Sequence, residues 1–333
     1  MMLVLIMKVF NVLVTGVGAI IGYGIVRSLR LCRYNVNIVG MDVYRDAVGQ
    51  RWCDSFLQAA WASDDSYCDF LADVIDKHNI DLVFFSLEQE IYKVCDDPGR
   101  LCGYFDKLIL NNRTLIELSR DKWRMFEYLT LHKVNTIKSL IAGEYGMVAD
   151  ELGVPFIVKP RHSTASKGIT TIHSREDFYY WKSKLGGDFM VQQLVGDDEH
   201  EYTVGVFGLG DGSFSQSIAF SRKLSKEGST VKAQTVNIPE LDEEVKMLTA
   251  LFKPVGPTNL QFRRHKDNYL LLKVNPRFSS SLSLRTAFGY NEPEMCIEYF
   301  AEKIQPSPAG LKQGIAVRYI EDIVNYIHDR HYF

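Results

Sequence analysis

The segment Phe156-Ile-Val-Lys159-Pro-Arg161 brings two cations to the end of an apolar run, and His162-Ser-Thr-Ala-Ser166-Lys167-Gly168 follows it. A lysine held at a strand end is a stationary positive charge. A loop of serine, threonine and glycine offers backbone N–H groups and hydroxyls without bulk, so the pair suits a triphosphate. The same composition also makes an ordinary solvated turn, and the loop alone fits either reading. A second candidate lies earlier. Thr15-Gly-Val-Gly-Ala-Ile-Ile-Gly22 follows a strand-like run and opens a helix, and Asp42 ends the next strand. In a dinucleotide site such glycines admit a pyrophosphate while the acid holds a ribose. The spacing here is G-x-G-x-x-x-G, a looser variant, and glycines that merely let a helix pack closely on a sheet produce it too.

Positioning such groups requires a folded frame, and the chain is long enough to supply one. Its 333 residues suggest two or three domains, with 46% hydrophobic and 24% charged residues, as in a soluble globular protein. A net charge of −3 gives no reason to expect a nucleic acid partner. The six cysteines are scattered without a C-x-x-C pair, which points to reduced thiols in a cytoplasmic chain. The apolar opening, residues 1–7, is too short to span a bilayer and lacks the features of a signal peptide, so no membrane association is expected.

The first third alternates strand and helix signals: apolar runs at 9–14, 36–43, 81–86 and 108–110, with helical periodicity after the glycine turn and over 65–79. That alternation predicts a parallel sheet covered by helices. A helical stretch over 113–132 follows. Strand pairs then take over at 156–160, 169–173, 189–195 and 202–207, with a helix at 175–184. Turn residues in Gly208-Leu-Gly-Asp-Gly212 predict a hairpin over 202–218, and 261–275 predicts a second one turning at 265–268. A helix over 241–252 lies between them. The fold class is thus α/β at the start and α+β afterwards.

At this point several blocks resemble the ATP-grasp superfamily. Lys159-Pro-Arg161 with the loop from Ser163 through Ser166 and Lys167 to Gly168 resembles its second lysine and glycine-rich loop. Ser119-Arg-Asp121-Lys122 is similar to the start of the preceding helix, which makes Lys122 the first phosphate-binding cation. Val191-Gln192-Gln193-Leu194-Val195 resembles the hinge strand that reads adenine, and Glu201-Tyr-Thr-Val204 the segment whose glutamate holds the ribose. Gln261-Phe262 and Val274-Asn275-Pro276-Arg277 resemble paired strands bearing magnesium ligands, Gln261 and Asn275, and a catalytic arginine, Arg277, which acts with Lys159. The likeness is nearest to one synthetase unit of the carbamoyl-phosphate synthase large chain. It implies a Rossmann-like pre-ATP-grasp domain over 1–112, followed by the two-lobed ATP-grasp fold, with a small lobe over 113–188 and a large lobe over 189–333. The activity implied is a carboxylate–amine ligase that uses ATP and Mg2+ and passes through an acyl phosphate.

One position departs from that pattern. Where the family has a magnesium-bridging glutamate, two residues before Asn275, this chain has Lys273. The exchange removes an oxygen ligand and reverses the charge. It leaves three readings open: an ATP binder with little turnover, an inactivating change, or a ligand supplied by another acid such as Asp267. For small-molecule carboxylate and amine substrates the candidates are Arg222, Ser280 and Arg285, with Glu88 (and Glu90 beside it) to hold an amine. A homodimer is a possible assembly. An NAD(P)-dependent oxidoreductase, built on the glycine turn, is the competing reading from another class.

Overall fold

In the first third, the residues that are apolar on both sides of the chain become the centre of a sheet. The computed structural model describes residues 8–324 except 142, 164–167, 198, 226–227 and 308–309. The elements run β1 (Val9–Val14), α1 (Ile20–Leu29), β2 (Asn35–Asp42), β3 (Ser55–Gln58), α2 (Tyr67–Lys77), β4 (Leu82–Phe84) and α3 (Glu88–Asp96). The strands form a parallel sheet in the order β3-β2-β1-β4. Alternate residues feed opposite cores: Val12, Val14 and Ile38 pack with Ile25 and Val26 of α1, whereas Leu13, Val39 and Met41 pack with Leu71 and Ile75 of α2. Both faces are covered, as a parallel sheet requires. The run at 108–110 supplies only an isolated parallel bridge from Leu108 to Val83 rather than a full strand.

The helical stretch after residue 112 is two helices, α4 (Arg113–Arg120) and α5 (Lys122–Leu131). They part at Asp121, whose backbone is extended and whose side chain caps α5 by accepting from the N–H groups of Trp123 and Arg124. Asn112 caps α4 in the same way and also donates to the carbonyls of Phe252 and Lys253.

Next come β5 (Ser139–Leu140), α6 (Tyr145–Leu152), β6 (Phe156–Pro160), β7 (Thr170–Ile172), α7 (Arg175–Leu185) and β8 (Phe189–Gln193). They make a small antiparallel sheet, β5-β8-β6-β7, whose core of Val148, Phe156, Val158, Phe178 and Val191 is its own. The remainder is β9 (Glu201–Leu209), β10 (Phe214–Leu224), β11 (Thr230–Val236), α8 (Pro239–Phe252), β12 (Val255–His265), β13 (Asn268–Asn275), α9 (Leu282–Ala287), α10 (Glu292–Cys296) and β14 (Ile315–Val317). Its strands form a six-stranded sheet in the order β13-β12-β9-β10-β11-β14. Both expected hairpins are present, β9–β10 and β12–β13.

Two expected boundaries shift. A cut between 188 and 189 would separate β8 from the β5 and β6 strands to which it is hydrogen-bonded, so the small sheet runs on to Gln193. Helices α4 and α5 place Leu115 and Leu129 against Val204, Leu248 and Leu260, and so join the core of the large sheet rather than the small one.

Candidate functional site

Lys159 stands on β6, where the strand alternation points it away from the Phe156–Val158 core. Its ammonium is buried and donates to the Gln192 Oε1 atom at 2.7 Å, while the Gln192 amide donates to the Ser139 hydroxyl at 2.9 Å. Among the described residues no carboxylate pairs with Lys159. Burial first, and then the like charge of Lys122, push its pKa down to about 7.

Lys122 opens α5, and its Nζ lies 3.0–3.1 Å from the carbonyls of Pro160, Arg161 and Ser163 and from the Ser163 hydroxyl. Burial, followed by the charge of Lys273, lowers its pKa to about 8. Gly168 carries the returning chain past Pro160 with φ +76, where an added Cβ would lie 2.8 Å from the Pro160 ring. Ser166 and Lys167, expected in the same loop, lie outside the described residues.

The third group comes from the large sheet. Gln261 on β12 pairs in register with Lys273 on β13, and Asn259 pairs with Asn275. Paired residues share a face, as do residues two apart on one strand, so Gln261, Lys273 and Asn275 form one patch. Asn275 is buried, and its Oδ1 has no hydrogen-bond partner among the described residues. Lys273 Nζ lies 3.7 Å from Glu88 Oε1, and the Arg277 guanidinium donates to the same oxygen at 2.6 Å. Glu88 sits at the first turn of α3, so an acid of the first domain meets two cations of the large sheet. Burial disfavours its charged form, but Arg277, Lys273 and Lys122 outweigh that and hold its carboxyl below the usual range.

The structure corrects several expected roles. Glu201 is buried, with one carboxylate oxygen on Arg222 at 2.6 Å and the other on Arg263 at 2.9 Å, so it braces the sheet rather than waiting for a ribose. Arg222 is committed to that pair and lies near the Thr230 hydroxyl, not toward a substrate. Arg285 is fully buried against Glu292 at 3.1 Å and bonds Asn259 and Thr203. Its guanidinium fills the space that Gly205 leaves, and a Cβ there would fall 2.6 Å from it, so it cannot grip a substrate carboxylate. Arg161 pairs with Asp121, the cap of α5, and thereby fastens the loop to the helix instead of facing phosphate freely.

The hinge is also more engaged than expected. The Gln192 amide is bound at both ends, and the Gln193 N–H donates to the Lys138 carbonyl at 2.9 Å. Val195 packs in a small core with Ile137 and Leu270, while Leu194 beside it is half-buried. Ser280 is half-buried too, and its carbonyl accepts from Arg318. Ser139 and the anchoring role of Asp121 were missed. Asp121 carried a usable signal, since an Asp directly before a helical pattern is a cap candidate; Ser139 carried none.

The glycine turn settles on packing. Asp42 is buried and accepts from the Gly18 N–H at 2.7 Å and the Tyr44 N–H at 3.0 Å, so its carboxylate closes the turn. Gly16 adopts φ +55 against Ser86, and a Cβ on Gly22 would collide with the Gly16 carbonyl. The same two bonds to Asp42 occupy one acceptor site on each oxygen of the acid that the oxidoreductase reading assigned to a ribose. Glu90 turns inward as well, onto the Thr15 hydroxyl, and burial pushes its pKa up to about 7.

Among the described residues there is no cluster of three or more His, Cys, Asp or Glu able to hold a metal. Asp267 is fully exposed at the hairpin turn, 4.0 Å from Arg264. Among the described residues Glu88 is the acid that meets the patch, and Lys273 and Arg277 hold it. Magnesium favours oxygen ligands that include carboxylates, and two neutral amides flanked by cations do not make such a set. The donors present do not fit the ion.

Residues 187–323 match the family model described as ATP-grasp in the biosynthetic pathway with Ter operon. A search of curated proteins finds no match. Among solved structures, N5-carboxyaminoimidazole synthetase from Staphylococcus aureus complexed with ADP is similar at a TM-score of 0.72 and 16% identity, covering 91% of this chain and 80% of that one. A biotin carboxylase complex from Campylobacter jejuni is similar at 0.70 and 15% identity, covering 92% and 74%. The biotin carboxylase domain dimer of the Hydrogenobacter thermophilus 2-oxoglutarate carboxylase, in complex with MgADP, ADP and bicarbonate, is similar at 0.66 and 15%, covering 92% and 73%.

Proposed function

This chain has the ATP-grasp fold, and from that premise we propose that it uses ATP to activate a small carboxylate, as an acyl phosphate, for attack by an amine. The observation that carries the reading is Lys159: a buried ammonium facing a neutral amide, beside a second lysine, is an arrangement that an incoming anion stabilises. Lys122 and Lys159 would hold the phosphates, with Ser163 at the loop. The carboxylate oxygen attacks the terminal phosphorus, the bond to the bridging oxygen breaks, and ADP leaves. Arg277, a planar fork at the edge of the cleft, would stabilise charge on the transferred group. Displacement of phosphate by the amine then gives the amide. Such chemistry relies mainly on positioning and electrostatics, which these residues can supply. Ser280 and Glu88 are the remaining candidates to meet carboxylate and amine.

Several coarser points support the same reading. The six cysteines are free, which suits a reducing, cytoplasmic setting. No helix among the described residues is long and apolar enough to cross a membrane. The similar carboxylase domain that forms a dimer lends support to a homodimer here. A second reading, an ATP binder with little turnover, is favoured by the hold of Glu88 on Arg277.

The test is to incubate the chain with ATP and a panel of carboxylates in hydroxylamine, which traps an acyl phosphate as hydroxamate, while following ADP. Carboxylate-dependent hydroxamate is expected, and Lys159→Met should lower its rate by about a hundredfold or more. ATP binding without ADP release for any carboxylate would favour the second reading. No binding at all would sink both.

A further inference from the structure

Lys273 shares one face of the β12–β13 hairpin with the two amides that would otherwise form the floor of a metal site, Gln261 as its cross-strand partner and Asn275 two residues along its own strand. It reaches the Glu88 carboxylate across the cleft, and its charge is felt at Lys122. Lys122, Lys159, Lys273 and Arg277 therefore converge on one region; Glu88 faces three of them, and Asp121, itself held by Arg161, and Asp188 act on Lys122 as well. A cation entering this patch meets Lys273 at once. Like charges about 4 Å apart repel far more strongly inside a protein than in water, and a divalent ion doubles the repulsion. A triphosphate without metal carries more negative charge than its magnesium complex, and the excess of fixed positive charge favours the former. The lone Asn275 Oδ1, buried with no partner, accepts from an ammonium as readily as it ligates a metal.

We propose that this chain binds a metal-free nucleoside triphosphate, with Lys273 and Arg277 supplying the positive charge at the terminal phosphates that a divalent cation would otherwise bring. The proposal rests on the nucleotide reading of the same site. On binding, the phosphates take over Lys273 and Arg277, and Glu88 is released from them.

Calorimetric titration of ATP into the full chain, in EDTA and in excess magnesium at matched ionic strength, tests it. Affinity in EDTA is expected to equal or exceed that in magnesium. Lys273→Glu should reverse the order, binding at least about tenfold better with magnesium than without. Lys273→Met, which adds no carboxylate, should lose about tenfold in EDTA and gain no magnesium dependence. Wild-type binding that strengthens about tenfold or more with magnesium overturns the proposal and leaves the nucleotide reading standing. An absence of ATP binding in both media overturns the nucleotide reading and the proposal with it.

Discussion

A buried ammonium that faces the Gln192 amide holds its proton weakly, and this gives Lys159 a measurable signature. In the free protein Lys159 titrates near pH 7 and Lys122 near pH 8. A bound triphosphate favours the charged form of both, so ATP binding at a pH between these values is expected to take up protons, and affinity falls as pH rises through the window. Titration calorimetry in buffers of different ionisation enthalpy reads the uptake directly, and Lys159→Met should remove most of it. The stability sign follows from the same shift. An unfolded lysine keeps its proton to about its ordinary 10.5, so between about 7 and 10.5 the unfolded state binds more protons and the free protein gains stability as pH rises. Lys159 stood out in the sequence because a cation at an apolar strand end is a local pattern, whereas Lys122 stood out only through the resemblance at Ser119-Arg-Asp121-Lys122. Glu201, Arg222 and Arg285 were misread because charged residues look alike in sequence whether they face solvent or one another: Glu201 meets Arg222 and Arg263 only where β9, β10 and β12 lie side by side, and Arg285 meets Glu292 where α9 gives way to α10.

At the level of elements, Asp121 shows how one side chain can serve two segments. It caps α5 and holds Arg161 at the end of β6, so the loop that follows starts from a fixed point on the helix. Asp121→Ala is expected to destabilise the protein by about 1–2 kcal/mol through the lost cap and to weaken ATP binding through the loosened loop. Asp121→Asn keeps the cap and loses the ion pair, so thermal melting and ATP titration of the two variants separate the effects. The strand–helix alternation of the first third and both hairpins were readable, since period-2 and period-3.6 patterns and turn residues are local features. The break at Asp121 was masked, because Arg113–Arg120 and Lys122–Leu131 each continue a helical periodicity and its one local mark was the Asp itself as a cap candidate. Strand β14 escaped too; its three residues gain strand character only from pairing with β11.

On the scale of the whole molecule, the first domain and the large sheet share one interior. Phe84 of β4 packs with Phe278, and the core that contains Val14 and Ile25 also contains Phe207 and Phe220. Arg285 and Glu292 tie this body together from within, both fully buried. Arg285→Met leaves the Glu292 charge without its partner and is expected to cost about 3–5 kcal/mol, with part of the loss recovered when Glu292→Gln is added. Chemical denaturation of the single and double variants measures both. No sequence pattern announces such a union, because it joins residues about two hundred positions apart.

Lys122 belongs to this larger body through its helix, yet its ammonium reaches across to the Pro160, Arg161 and Ser163 oxygens of the smaller one. It is a clasp over the seam between them. A lysine ammonium has three protons to give, and four oxygens already surround this one. It cannot serve an arriving anion and keep all of them, so a nucleotide bound as proposed would take part of this clasp for itself.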